Sequence, residues 1–230
     1  MARDNSPKER QKRQLERKQG KRASYDRVLI VSEGTETEPN YFKEIRSFYR
    51  LYTANVQVVP SGYGTAPDQV VDYAETLFIN GNIEKRIQKR AFEKVYVVID
   101  RDDHKSYYNA ISKVTSLNRK KLKNDSKQPV KFIAIPSVPC FEIWFLLHFE
   151  DILAFTDRND ITEHLERHVP DYSKGRNDMF RITSGKLDTA IDRAETLRER
   201  GYSAYSHDPP QPFTDVDILV KELIAMGKKN

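Results

Sequence analysis

The amino-acid sequence predicts an α/β protein: a parallel sheet flanked by helices, followed by a mainly helical C-terminal half. Four short apolar segments rich in β-branched residues are spaced through the first part of the chain, with helix-like segments between them. None of these four segments alternates strictly between apolar and polar residues, as expected for strands covered on both faces. Beyond about residue 140 the apolar spacing is helical throughout. Together these observations predict one doubly covered sheet and a helical region after it.

The four predicted strands alternate with predicted helices along the chain. Parallel strands need long crossover connections, so this alternation favours a parallel sheet over an antiparallel one. The predicted strands are RVLIVSEG (27–34), NVQVVP (55–60), KVYVVID (94–100) and VKFIAIPS (130–137).

The predicted helices carry apolar residues at helical spacing. The first follows Pro39, a residue that suits the first turn of a helix. The second starts at about Asp68, after the glycine-containing loop SGYGTAP (61–67). The remaining predicted helices are 107–122 in the first half and 139–150, 161–169, 184–201 and 214–226 in the second.

Charge divides the chain into an N-terminal arm, residues 1–24, and a main body, residues 25–230. The body is expected to comprise an α/β core (25–140) and a helical part (141–230). Of the 39 Lys/Arg and 34 Asp/Glu, ten and four lie in residues 1–27, so the rest of the chain is nearly neutral. The arm has too few apolar residues to form a core, and we interpret it as disordered or as a helix formed on a partner. It is either a solubilising tail or a contact to nucleic-acid phosphates.

Several classes of protein do not fit the composition. The longest apolar run, IWFLLHF (143–149), is far short of the roughly 20 residues that a membrane span needs. The N-terminus shows no apolar signal region. A single cysteine, Cys140, excludes an intrachain disulfide and fits a reducing compartment. We therefore expect a cytoplasmic protein without a membrane segment.

Carboxylates follow two of the predicted strands directly. Glu33 comes after VLIVS, and Asp100 and Asp102 come after VYVVI. In an extended exit from a strand, residues two apart point the same way, so both aspartates are expected to face one site. If the two strands are neighbours, Glu33 joins them, and three carboxylates in one pocket favour Mg²⁺ or Mn²⁺. The alternative is that the aspartates cap the next helix or pair with Arg101.

Three segments resemble the motifs of RloB-like proteins. They are VLIVSEGTETEPNYF (28–42), VYVVIDRDDH (95–104) and IPSVPCFEIWFLLHF (135–149). Two later segments resemble that family more loosely: DYSK (171–174) and DPPQPFTDVDILVKEL (208–223). The order of strand–Glu-Gly and strand–Asp-x-Asp is also similar to the Toprim fold of topoisomerases, primases and related nucleases.

The resemblance implies a function that composition does not reveal. It implies a metal-dependent phosphodiester-cleaving site on a Toprim-like core, acting on DNA or RNA. It also implies an ATPase partner protein and a role in anti-phage defence. The metal ligands would be Glu33, Asp100, Asp102 and Glu142, and the cofactor would be Mg²⁺ or Mn²⁺.

Several other candidate residues have a structural explanation as well as a functional one. Glu142 is either a fourth acid of the site or an acid in the first turn of a helix, where the dipole favours an anion. His104 is either a proton donor or phosphate contact, or a surface histidine. The resemblance makes Lys174 a candidate for stabilising phosphate charge, although most lysines of such polar loops are solvated. Trp144 and Cys140 are expected to be core residues.

Two functions other than a nuclease remain open at this stage. One is an aspartate-based phosphohydrolase, whose hhhhDxD motif normally lies on the first strand, whereas here it follows the third and is succeeded by Asp103. The other is a non-catalytic module that binds an ATPase or a nucleic acid. The chain has no Gly-Lys-Ser/Thr phosphate loop, so ATP hydrolysis would come from another subunit. Assembly into a homo-oligomer is left open.

Overall fold

A five-stranded, mostly parallel sheet organises the chain and confirms the predicted mixed α/β class. The computed structural model describes residues 26–154, 156–204 and 211–228, so the predicted arm, 1–24, lies outside the described residues. The elements are β1 (Val28–Ser32), α1 (Thr37–Phe48), β2 (Val56–Pro60), α2 (Pro67–Asn80), β3 (Lys94–Asp100), α3 (Tyr107–Arg119), β4 (Lys131–Val138), α4 (Glu142–Leu147), α5 (Arg158–His168), α6 (Met179–Thr183), a 3₁₀ turn (Ser184–Lys186), α7 (Leu187–Glu199), β5 (Phe213–Thr214) and α8 (Val216–Gly227).

The strand order is β2-β1-β3-β4-β5, and β1 therefore lies directly beside β3. The first four strands are parallel, as predicted, with Ser32 level with Val98 across the β1–β3 pair. Because both strands run in the same direction, their carboxyl ends meet at one edge of the sheet. The residues that follow Ser32 and Ile99 therefore become neighbours.

Both faces of the sheet are covered, which explains the continuous apolar strands. On β1, Val28 and Ile30 belong to one core cluster and Leu29 and Val31 to the other. The first cluster contains residues of α1 and of the C-terminal helices, and the second contains residues of α2 and α3. The alternation of side chains along a strand divides the core into these two layers.

Local sequence sets the ends of α2 clearly. Pro67 occupies its first turn, where the missing N–H would have no helical partner. Gly81 follows its last residue with φ +71, and its N–H donates to the Leu77 carbonyl at 2.9 Å. A Cβ at Gly81 would lie 2.6 Å from the Ile87 carbonyl oxygen, so glycine ends this helix on both conformational and steric grounds.

The second half is helical, as predicted, but three details differ. A short fifth strand, Phe213–Thr214, pairs antiparallel with β4, so the expectation of no further sheet beyond residue 140 was wrong. The predicted helix at 139–150 is limited to the six residues Glu142–Leu147. The segment predicted as one helix at 184–201 begins as a 3₁₀ turn before α7. A strand of two residues is too short to be recognised from the periodicity of apolar residues in the sequence.

No helix within the described ranges is both long and apolar enough to cross a membrane. The most apolar stretch of the second half instead packs inside the protein, where Trp144, Phe145 and Leu147 are fully buried. The indole N–H of Trp144 donates to the Tyr41 hydroxyl at 2.7 Å and so links α4 to α1. Trp144 is thus a core residue, as predicted, and Cys140 is buried as well.

Candidate metal centre

The carboxyl ends of β1 and β3 bring the predicted acids together. Glu33 directly follows β1, and its backbone N–H donates to the Val98 carbonyl of β3 at 3.1 Å. Its side chain turns toward the end of β3, where Oε2 accepts from the Asp100 N–H at 3.2 Å. The prediction that Glu33 joins the aspartates if the two strands are neighbours is therefore confirmed.

Asp100 and Asp102 reach the same cavity by a different backbone route from the one predicted. Asp100 is the last residue of β3, but Asp102 lies in a turn with φ +36 rather than in an extended exit. The Arg101 and Asp102 N–H groups donate to the carbonyls of Ser137 and Pro139, both at 2.9 Å. These two bonds hold the turn against the end of β4. The expectation of a shared site was right, and the expectation of extended geometry was wrong.

The cavity at this edge has a volume of about 380 Å³ and is mostly acidic. Arg101 and Asp103 are not among its lining residues and line a neighbouring cavity instead, together with Asp102. Its acidic lining residues are Glu33, Glu36, Glu38, Asp100, Asp102 and Glu142, and its basic ones are His104, Arg158 and Lys174. All six predicted site residues therefore line one cavity.

Three side chains have ligand atoms close enough to hold one metal ion. One ligand atom each of Glu33, Asp102 and His104 lies within 4.8 Å of the other two. Nε2 of His104 is 3.3 Å from Oε1 of Glu33. Two carboxylates and an imidazole are ligands for a divalent cation. Asp100 and Glu142 line the same cavity and stay predicted ligands.

Glu142 begins α4 and is almost completely buried. Its Oε1 accepts a hydrogen bond from the Tyr172 hydroxyl at 3.3 Å. Glu142 is in the first turn of a helix, and it also lines the acidic cavity. The Tyr172 contact fixes one oxygen, and burial makes an isolated carboxylate at this position costly without a further cation.

Lys174 reaches the cavity from a loop that is fastened to α1. The carbonyl of the next residue, Gly175, accepts from the Asn40 side chain at 2.7 Å, and its N–H donates to the Thr37 hydroxyl at 3.1 Å. A Cβ at Gly175 would lie 2.3 Å from a carboxylate oxygen of Glu36, and φ there is +83. Glycine thus allows the loop to approach α1, and Lys174 beside it lines the cavity.

The electrostatics of the cavity favour protonation or a bound cation. Burial is the main cause that raises the pKa of Glu33 to about 8, although the hydrogen bond from the Asp100 N–H lowers it. The pKa of Asp100 is raised well above its ordinary value, first by burial and then by Glu38 and Glu33. Burial also raises the pKa values of Glu38 and Asp102. A divalent ion would relieve both the burial cost and the repulsion.

Three charged lining residues were not predicted from the sequence: Glu36 just before α1, and the two that form contacts within the site, Glu38 and Arg158. Glu38 is buried in the first turn of α1, and its Oε1 accepts from the Gly34 N–H at 2.9 Å. A Cβ at Gly34 would lie 2.1 Å from Oε2 of Glu38, so glycine is required for this contact. Three glutamates around a predicted helix start were a usable signal for Glu38. Arg158 was missed as well, and only the packing of α5 brings it to the cavity.

His148 and most of the SGYGT loop (61–65) lie outside the cavity lining. His148 is buried, and its Nδ1 is 2.9 Å from the Trp144 carbonyl oxygen, so it belongs to the core. Burial is the main cause that lowers the pKa of His148 to about 4. Of the SGYGT loop, Thr65 alone lines the cavity.

The fold and site define an α/β protein with a candidate divalent-metal centre at the carboxyl edge of its sheet. A model of the family described as RloB-like protein matches residues 28–223, so the chain belongs to the RloB-like family. This confirms the resemblance found in the motifs. Searches among curated proteins and among solved structures each gave no match.

Proposed function

We propose that this protein is a divalent-metal-dependent nuclease that hydrolyses phosphodiester bonds in DNA or RNA. The observation that supports it is the convergence of Glu33, Asp100, Asp102 and Glu142, from three separate elements, on one cavity. The basic residues His104, Arg158 and Lys174 line the same cavity. An acidic pocket alone repels a polyanion, so a bound cation is needed before phosphate can enter.

The donor set fits a hard cation such as Mg²⁺ or Mn²⁺. The side-chain oxygens Oδ1 of Asp100 and Oδ1 of Asp102 are buried without a hydrogen-bond partner among the described residues. Unpaired buried carboxylate oxygens are costly, and coordination would satisfy them. We propose that Glu33, Asp100, Asp102 and Glu142 hold the ion. When bound, such an ion polarises a phosphoryl oxygen and lowers the pKa of a coordinated water.

The protein's own residues would supply the remaining steps. Glu33 fits either as a ligand of the ion or as the group that accepts a proton from the attacking water; its Oε2 accepts from the Asp100 N–H and its Oε1 lies 3.3 Å from Nε2 of His104. His104 would hold Glu33 in position or donate a proton to the leaving oxygen. Lys174 would stabilise the negative charge that develops on the phosphate. The backbone of the next residue is fastened to α1, which holds this part of the loop beside the cavity.

The setting of this activity is also a proposal. The family resemblance is the source of three expectations: a Toprim-like core, an ATPase partner and a role in anti-phage defence. We propose that the isolated chain is weakly active, because residues 28–230 are close to neutral and offer little general attraction for nucleic acid. Cleavage should therefore rise when the product of a neighbouring ATPase gene and ATP are added.

The test uses the full chain with plasmid DNA, single-stranded DNA and RNA, each in Mg²⁺, Mn²⁺ or EDTA. We expect cleavage with a divalent ion, none in EDTA, and none with Asp102→Ala. The control is Asp151→Asn, which alters an exposed aspartate paired with Arg193 outside the cavity. Wild-type cleavage by Asp102→Ala would overturn the assignment of the site. Hydrolysis of a phosphomonoester with no cleavage of nucleic acid would support the phosphohydrolase alternative instead.

A further inference from the structure

Arg158 is the cation that contacts the central aspartates. Its Nη1 is 2.6 Å from Oδ2 of Asp102, and its Nη2 is 3.9 Å from Oδ2 of Asp100. Arg158 is the first residue of α5, and the Asp157 side chain caps this helix by accepting from the Asn159 and Asp160 N–H groups at 2.7 and 3.0 Å. The cap fixes the start of α5 beside the acidic cavity.

The pairing of Arg158 with the aspartates is incomplete. Nε of Arg158 and one oxygen of each aspartate are buried without a hydrogen-bond partner in the described chain. The ion pair between Arg198 and Asp217 is different: its two nitrogens bind the two oxygens of one buried carboxylate at 2.8 and 2.7 Å. That two-point geometry is typical of a permanent arginine–carboxylate pair. Arg158 instead makes one short contact, to Oδ2 of Asp102, and one long contact, to Oδ2 of Asp100.

Arg158 also stands where two cavities meet. The acidic cavity and a neighbouring one of about 400 Å³ share only two lining residues, Asp102 and Arg158. The second cavity is lined further by Arg101, the start of α5 and the end of β4. The side chain of Arg158 is 41% exposed, so it has room to change its partner. Its guanidinium can reach a ligand in either cavity.

We propose that Arg158 is an exchangeable counter-charge. In the metal-free protein it neutralises Asp102; a divalent cation displaces it from that carboxylate, and the freed guanidinium then binds a phosphate of the substrate at the junction of the two cavities. The second step rests on the proposed function. Two cations close to one carboxylate repel each other, so a divalent ion and the guanidinium compete for Asp102. A guanidinium without a carboxylate partner matches the geometry of a phosphate group.

The first experiment measures Mn²⁺ binding to the full chain without nucleic acid, by electron paramagnetic resonance. We expect Arg158→Gln to lower the Mn²⁺ dissociation constant at least about tenfold, since it removes a charged hydrogen-bonding competitor. The matched control is Arg167→Gln, on the same helix, which loses the same charge from an exposed pair with Glu163. It should leave Mn²⁺ affinity unchanged. Unchanged or weaker Mn²⁺ binding by Arg158→Gln overturns the proposal.

A second experiment measures binding of a labelled DNA hairpin and an RNA hairpin in Ca²⁺. Arg158→Gln should bind the preferred hairpin about tenfold more weakly despite binding metal more tightly, because one charge-assisted phosphate contact is lost. Arg158→Lys keeps the charge and should recover part of the hairpin affinity, and it provides a second variant if Arg158→Gln does not fold. Equal hairpin affinity for wild type and Arg158→Gln would contradict the phosphate contact.

The two proposals fail in different ways. If the wild-type chain cleaves no nucleic acid but Arg158→Gln still tightens Mn²⁺ binding, the nuclease proposal fails and the exchange stands. If the wild type cleaves while neither Mn²⁺ nor hairpin affinity responds to Arg158→Gln, the exchange fails and the nuclease stands.

Discussion

The two ends of β1 and β3 carry charged residues in opposite arrangements. At the amino end, Arg27 donates to both Glu93 and Asp125, with its shortest contacts to each at 2.6 Å. At the carboxyl end, Glu33, Asp100 and Asp102 have raised pKa values, and two of their carboxylate oxygens have no hydrogen-bond partner among the residues that the structure describes. The same pair of strands therefore has one end where charges are matched and one end where they are not.

This difference separates a structural role for charge from a functional one. The amino end resembles an ordinary, partly exposed ion-pair cluster: hydrogen bonding to Asp125 is the main cause that raises the pKa of Arg27, although burial lowers it. At the carboxyl end, like charges share a cavity at a cost to stability. Buried acids that lie close together do not stabilise the fold, but they are suited to bind a cation. The position of acids that lack hydrogen-bond partners within the described residues is thus more informative about function than the total number of acids.

The largest expected effect comes from removing charge at the carboxyl end. Asp100→Asn should weaken Mn²⁺ binding and any metal-dependent cleavage at least about a hundredfold, because it removes a carboxylate from the cation site. Its free energy of unfolding in EDTA should equal or exceed that of the wild type, since like-charge repulsion is relieved. Titration with Mn²⁺ and denaturant unfolding measure the two effects. Asp151→Asn serves as the control, and a destabilised Asp100→Asn that binds Mn²⁺ normally would contradict the comparison.

A smaller and opposite effect is expected at the amino end. Arg27→Met should lower the free energy of unfolding by about 2 kcal/mol, because Glu93 and Asp125 lose their shared partner. Mn²⁺ affinity should not change, because Arg27 is at the other edge of the sheet. Urea unfolding and Mn²⁺ titration check this, with Arg181→Met as a control at a 76% exposed side chain. A loss of metal binding equal to that of Asp100→Asn would show that the two ends are not independent.

The third expected effect is a gradual one, a pH dependence of stability in the metal-free protein. The pKa of Glu33 is raised from 4.5 to about 8, so between these values the folded chain binds more protons than the unfolded chain. Stability therefore falls as pH rises through this window, by at most about 1.4 kcal/mol per pH unit from this group. Unfolding in EDTA at pH 5 and pH 8 should show a smaller decrease for Glu33→Gln than for the wild type. The same slope in both proteins would exclude Glu33 as its source.

Local patterns were enough to predict much of this molecule. Apolar strands without alternation indicated a sheet covered on both faces, and their alternation with helices indicated parallel strands. Because parallel strands end at one edge, the positions of Glu33 and Asp100 directly after two strands predicted a shared site. Both predictions depend on the period and order of residues, which are properties of the chain itself.

The tertiary structure decided what depends on contacts between distant segments. The antiparallel strand Phe213–Thr214 is too short for periodicity to show and exists because it pairs with β4. The turn at Asp102 is held by hydrogen bonds to residues 137 and 139 rather than by its own sequence. Arg158 reaches the aspartates only because α5 packs beside them. The sequence by itself thus determined the sheet and the acids at its edge, since these follow from the order of strands and residues. The pairing of Arg158 with those acids was decided by packing, since no local pattern predicts how α5 lies against the end of β3.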